Sequence, residues 1–145
     1  MTIGEKNLLR MLQNYRYDKE RLKEAVERLE GMSYKVTPSY SSTGGSGGRP
    51  GSKVEDYTEK AEKLRRAIRT YRQNTGMVDR ALESTELDRM ERRVLEWIAC
   101  GGRLSSLAEA EGIYISRIYK IRDKALRKAL RHLETQNEVD GRVKG

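Results

Sequence analysis

Seven basic side chains fall between Tyr114 and His132: Arg117, Lys120, Arg122, Lys124, Arg127, Lys128 and Arg131. Asp123 is the one acid among them, so the local net of 7 − 1 = +6 is most of the +8 carried by the 145 residues. Lysine and arginine on a helix that lies along a duplex neutralise phosphates and release counterions. At the groove-facing end the same side chains donate to guanine O6 and N7. A merely solvated basic face is the plain alternative for a charge run by itself. No other grouping points to chemistry. His132, the sole histidine, has no metal-ligand spacing around it and reads as a surface or flank residue. Cys100, near Trp97 at the end of an apolar run, reads as a small buried filler rather than a nucleophile. The pairs Glu109 and Glu111, and Glu20 and Glu24, lack the glycine pattern of a metal loop and read as solvated helix charges. Neither catalysis, a metal nor a cofactor is expected.

A helix pair must hold the basic segment. Leu104, Leu107 and Ala108 fall on one face of Leu104 to Glu111. Ile115, Ile118, Ile121, Ala125, Leu126, Ala129, Leu130 and Leu133 fall on one face of the run that follows. The junction Glu111-Gly112-Ile113-Tyr114 has room only for a sharp corner, and Gly112 can take the left-handed conformation that makes one. Two helices joined at a steep angle by a short glycine turn form a helix-turn-helix. Its second helix begins at Tyr114 or Ser116. With Ile118 and Ile121 inward, Ser116, Arg117, Tyr119, Lys120 and Asp123 point outward or to the flank. Arg117 and Lys120 are expected on guanine edges, and Ser116 and Tyr119 on phosphate or base. Lys124, Arg127, Lys128 and Arg103 are expected on phosphates, where they set orientation.

The rest of the chain is helical in pattern. Leu8, Leu12, Tyr15, Lys19, Leu22, Val26 and Leu29 alternate steps of four and three, a heptad seam with one polar member. Gly31 to Ser52 replaces charge by Gly, Ser, Thr, Tyr and Pro, and reads as a flexible linker. Its GGSGG run has neither a following GK[ST] nor a preceding strand, so a phosphate loop is not supported. Val54, Tyr57, Ala61, Leu64, Ile68, Tyr71 and Thr75 form a second, matched stripe. Gly76 interrupts the pattern, and a short helix or helix end follows to Glu83. Ser84 or Thr85 is expected to cap a helix that reaches Cys100, with Leu87, Met90, Val94, Trp97 and Ile98 inward. Gly101-Gly102 ends it, and Ser105 or Ser106 is expected to cap the next. The fold expected is all-α: a long, coiled-coil-like antiparallel hairpin and a C-terminal helix-turn-helix. The expected domains are an arm over 1–75 with a linker at 31–53, a DNA-binding domain over 76–134, and a disordered tail over 135–145. A second copy of the chain is a candidate partner through the hairpin, since two helices leave each stripe half covered.

Composition narrows the partners. Hydrophobic residues are 36% and charged residues 36%, with no Phe and one Trp; mean hydropathy is −0.86. That suits long two-sided helices rather than a large core. The single cysteine allows no intramolecular disulfide. The N-terminal residues lack a signal peptide's apolar segment, and no run approaches the ~20 apolar residues of a membrane span. A cytoplasmic protein without a membrane partner is expected, and a pI of about 9.7 favours an acidic partner such as nucleic acid.

Residues Leu87 to Leu133, including ELDRMERRVLEWIACGGRLSSLAEAEGI and RIYKIRDKALRKAL, resemble region 4 of the sigma-70 factors. The heptad helix, the linker VTPSYSSTGGSGGRPGSKVEDY, the second helix and this C-terminus together resemble small phage and prophage transcription regulators. These are the sigma-factor-like regulators related to the RinA and ArpU late-gene activators. TPSYS and YKIRDKAL are the most specific elements. The resemblance implies binding to double-stranded DNA near phage promoters in the bacterial host cell. It also implies activation of late or packaging genes, with host RNA polymerase as a candidate partner. Tyr114 and Ile115 depart from the Ser or Thr and polar residues that usually open the recognition helix of region 4. A small-terminase-like DNA-packaging subunit and a protein–protein adaptor are the competing functions.

Overall fold

Glutamate three residues after a short polar side chain marks a helix start, because the two side chains can each accept the other residue's backbone N–H. The chain uses the device twice. Thr2 Oγ1 accepts from the Glu5 N–H at 3.2 Å, and Glu5 Oε2 from the Thr2 N–H at 3.2 Å. Asp88 Oδ1 accepts from the Glu91 N–H at 2.7 Å, and Glu91 Oε1 from the Asp88 N–H at 3.1 Å. The computed structural model describes the backbone of residues 1–36 and 50–144, and the side chains of residues 1–32 and 56–137. Five helices and no strand occur among the described residues: α1 (Ile3–Val36), α2 (Pro50–Leu82), α3 (Arg89–Ala99), α4 (Leu104–Glu111) and α5 (Ile115–Lys144). None of the helices described is long and apolar enough to cross a membrane.

Several boundaries differ from the sequence expectation. α1 continues through Gly31 to Val36 and α2 starts at Pro50, so residues 31–36 and 50–53 of the expected linker are helical. One helical glycine costs only about 1 kcal/mol, and proline is at ease in a first turn, where its missing N–H is not needed. The GGSGG run lies outside the described residues. α2 runs straight through Gly76, for the same modest cost. Residues 135–144, expected to be disordered, continue α5. Extending a packed helix needs no apolar stripe, since propagation is far easier than nucleation. The cap of α3 is Asp88, not Ser84 or Thr85. Ser84 is buried instead, and its carbonyl accepts from Arg92 Nη2 at 2.8 Å. Arg92 also donates to the Leu82 carbonyl, which satisfies the end of α2.

Contacts divide the chain into residues 1–18 with 74–145, and residues 19–73. The division does not fall at 75/76, because the start of α1 and the end of α2 pack into the C-terminal core. There Leu8 and Leu12 join Val78, Ala81, Leu95, Leu107, Ile118 and Leu126 in one cluster. In the other unit Ala61 and Ile68 of the second expected stripe are buried, whereas on α1 the buried residue is Ala25, beside the expected seam, whose Leu22, Val26 and Leu29 are half-buried and whose Lys19 is exposed.

Candidate nucleic-acid interface

α4 and α5 meet at Gly112, whose φ of 68° and ψ of 32° are left-handed. Its N–H and that of Ile113 donate to the carbonyls of Glu109 and Ala108, which closes the end of α4. α5 starts at Ile115. The Tyr114 carbonyl accepts from the N–H groups of Arg117 and Ile118 at 3.0 and 3.2 Å, so Tyr114 is the flanking residue. At the other end of α4 the cap is Arg103, by backbone only, and Ser105 and Ser106 lie within the first turn. Trp97 Nε1 donates to the Arg103 carbonyl at 2.8 Å. Gly102 is needed beside it, because a Cβ there would overlap the indole. The end of α3 thereby fixes the backbone that carries Arg103.

α5 has two faces. Ile118, Ala125, Leu126 and Ala129 are buried. At 100° per residue, Arg117, Lys120, Lys124, Arg127, Lys128 and Arg131 share an arc on the opposite side. That stripe divides into two parts. Arg117, Lys120 and Lys124 at the front are exposed, as are Ser116 and Arg103. None of these four cations has an acid within ion-pair distance among the described residues. The rear cations are engaged. Arg127 Nε lies 3.8 Å from Glu5 Oε1, and Arg131 Nη1 lies 3.7 Å from Glu86 Oε2. Lys128 Nζ lies 2.7 Å from Glu91 Oε1 and donates to the Glu86 carbonyl at 3.2 Å. Glu91 is only 2% exposed, and its Oε2 has no hydrogen-bond partner. Leaving that carboxylate without its ammonium would strand a buried charge. Lys128, expected on phosphate, is therefore an anchor of α5, and Arg127 faces a carboxylate on its inner side. Both capping-box glutamates serve twice: each starts a helix and each holds a cation of α5.

Asp123, expected to point outward or to the flank, is half-buried and held by Arg122, whose Nη2 lies 2.9 Å from Oδ1. The Arg122 guanidinium also sits 4.9 Å from the centroid of the Tyr119 ring. Tyr119 and Arg122 of α5 share a surface cleft of about 430 Å³ with Leu9, Gln13, Arg103 and Ser105. Sequence periodicity placed Ile115 inward, but it is 37% exposed, beside Tyr114 at 85% and Tyr119 at 44%. The first turn of a helix protrudes beyond its packing partner, which periodicity does not register.

The Asp88 carboxyl is held below the usual carboxylate range, chiefly by the Glu91 N–H, aided by the Glu91 side chain and by Lys128. Cys100 is exposed at the end of α3 rather than buried. His132 is half-buried, with its Nε2 lacking a hydrogen-bond partner. Among the described residues no group of three His, Cys, Asp or Glu could hold a metal ion. No family model, curated protein or solved structure matches the chain.

Proposed function

We propose that α4, the Gly112 turn and α5 are a helix-turn-helix, and that the chain is a sequence-specific regulator of transcription that binds double-stranded DNA. The observation that carries this reading is the split stripe of α5. Its front presents Arg117, Lys120 and Lys124 unpaired and exposed, with Arg103 likewise unpaired at the start of α4, while its rear cations face carboxylates. Free cations on a surface repel one another and gain most from phosphate. The pair of Lys128 with the buried Glu91 carboxylate anchors the rear of α5 and so fixes how the front is offered. Arg117 and Lys120 read base edges, Ser116 and Tyr119 touch base or phosphate, and Lys124 and Arg103 contact phosphates. Activation of phage or prophage promoters beside host RNA polymerase is the role that the resemblance to sigma region 4 adds.

An antiparallel α1–α2 hairpin belongs to the same proposal. Supporting it are the Tyr15 hydroxyl donating to Asp79, and Leu8 and Leu12 sharing a core with Val78 and Ala81. The test is selection of duplexes from a random-sequence library, followed by titration of the best one. One sequence family is expected, and Arg117→Ala should reduce its preference over random duplex by about tenfold, within the range of one bidentate base contact. Lys124→Ala should weaken all sequences alike. Absence of binding to any duplex at low salt would end this reading.

A further inference from the structure

We infer that Tyr114, Ile115 and Tyr119 form an apolar patch that packs on the 5-methyl groups of thymine, so that thymines mark the duplexes this chain prefers. The inference rests on the reading of α5 as a DNA-reading helix and adds to it the base chemistry being read. Three large apolar side chains stand exposed between residues 114 and 119. The other exposed large apolar residues among those described, Met1, Ile3 and Tyr17, all lie near the start of the chain. Single exposed apolar side chains call for no explanation, but contiguous ones mark contact surfaces. Ile115 and Tyr119 are one turn apart on α5, where side chains four residues apart are neighbours, and Tyr114 immediately precedes them. The Arg122 guanidinium over the Tyr119 ring steadies that ring at the surface.

The occupant follows from what surrounds the patch. Arg103 lines the same cleft as Tyr119 and Lys120 directly follows Tyr119; both are exposed and without acid partners, and Asp123 is already taken by Arg122. The surface therefore suits a partner that is anionic and also offers apolar projections. Thymine is the base whose major-groove edge carries a methyl group, and it stands between two rows of phosphates. Removing one such methyl from water is worth about fourfold in affinity (~0.8 kcal/mol at 1.4 kcal/mol per factor of ten).

The test uses the full chain and the best duplex from the library selection, synthesised once with thymine and once with uracil, which lacks only the methyl. The wild type should bind the uracil duplex about fourfold more weakly for each thymine contacted. Ile115→Thr and Tyr119→Ser should bind the two duplexes more nearly alike, while Arg117→Ala keeps the wild-type ratio. Equal affinity of the wild type for both duplexes overturns the patch assignment and leaves DNA binding intact. So does a selected sequence without thymine, or a ratio that survives undiminished in both variants. Failure to bind any duplex at low salt, with binding to an acidic protein in its place, overturns the underlying reading as well. The wild-type comparison needs no variant, so a substitution that fails to fold leaves the test standing.

Discussion

Lys128 and Asp88 set the terms at the level of single side chains. Lys128→Ala leaves the buried Glu91 carboxylate without its ammonium, and such a loss costs about 3 kcal/mol. The expected outcome is a clearly lower denaturation midpoint, with the salt dependence of DNA binding unchanged, as measured by urea titration and by anisotropy across salt. Lys124→Ala should do the reverse, leaving the midpoint alone and lowering the salt slope by about 0.9. Asp88→Ala removes a helix cap worth about 1 kcal/mol. Because the folded state depresses the Asp88 pKa, its stabilisation is fully present above the ordinary value of about 3.9 and fades as pH falls through the lower folded value. Stability should therefore fall less between pH 4 and pH 2 in Asp88→Asn, which keeps the cap but does not titrate, than in the wild type. The stripe was legible in the sequence because its period is local. Its division into free and engaged halves was not. Lys128 finds Glu91 across 37 residues, and Arg127 finds Glu5 from the opposite end of the chain. Residue type alone does not say which of seven cations already has a partner.

Helices were easier to foresee than their ends. The apolar periods of α3, α4 and α5 and the corner at Gly112 stand plainly in the sequence, and the left-handed φ of Gly112 follows from its place between two periodic runs. Thr2 with Glu5, and Asp88 with Glu91, carry the spacing of reciprocal caps, and that signal could have fixed two starts. Glycine was the misleading signal. Gly76 and Gly31 read as breaks but lie within α2 and α1, because one helical glycine costs only about 1 kcal/mol, too little to end a long helix. The contrast is measurable. Gly76→Ala meets no atom within 4 Å, so it should stabilise the protein by about 0.5–1 kcal/mol. Gly112→Ala, also unobstructed but held at positive φ, should destabilise it by about 1 kcal/mol or more. Thermal melts followed by circular dichroism should move in opposite directions for the two variants. A Gly76→Ala protein that melts lower would mean that α2 bends there.

At the scale of the chain, the composition pointed to long helices and an acidic partner, but no local pattern could say that residues 1–18 pack with residues 74–145. A fragment cut at residue 76 lacks Leu8, Leu12 and Glu5, so it uncovers the core and releases Arg127. Such a fragment should aggregate or melt well below the full chain, as differential scanning calorimetry would register. With Lys124 and Arg103 as the front cations that contact phosphate, log Kd for duplex should rise with log salt at a slope near 1.8, about 0.9 for each. A slope near 4.5 would mean that the engaged rear cations Arg127, Lys128 and Arg131 also exchange carboxylate for phosphate.

The split membership of α1 also bears on how the protein is made. Leu8 and Leu12 leave the ribosome long before Leu126 and Leu133, with which they share a core. Until those last partners emerge, the nascent chain carries bare leucines that no local structure can shield. Domains ordinarily fold as units while synthesis proceeds, but this core closes only once Leu126 and Leu133 have emerged. Translation halted before those residues leaves an unfinished product whose uncovered Leu8 and Leu12 chaperones and proteases can recognise.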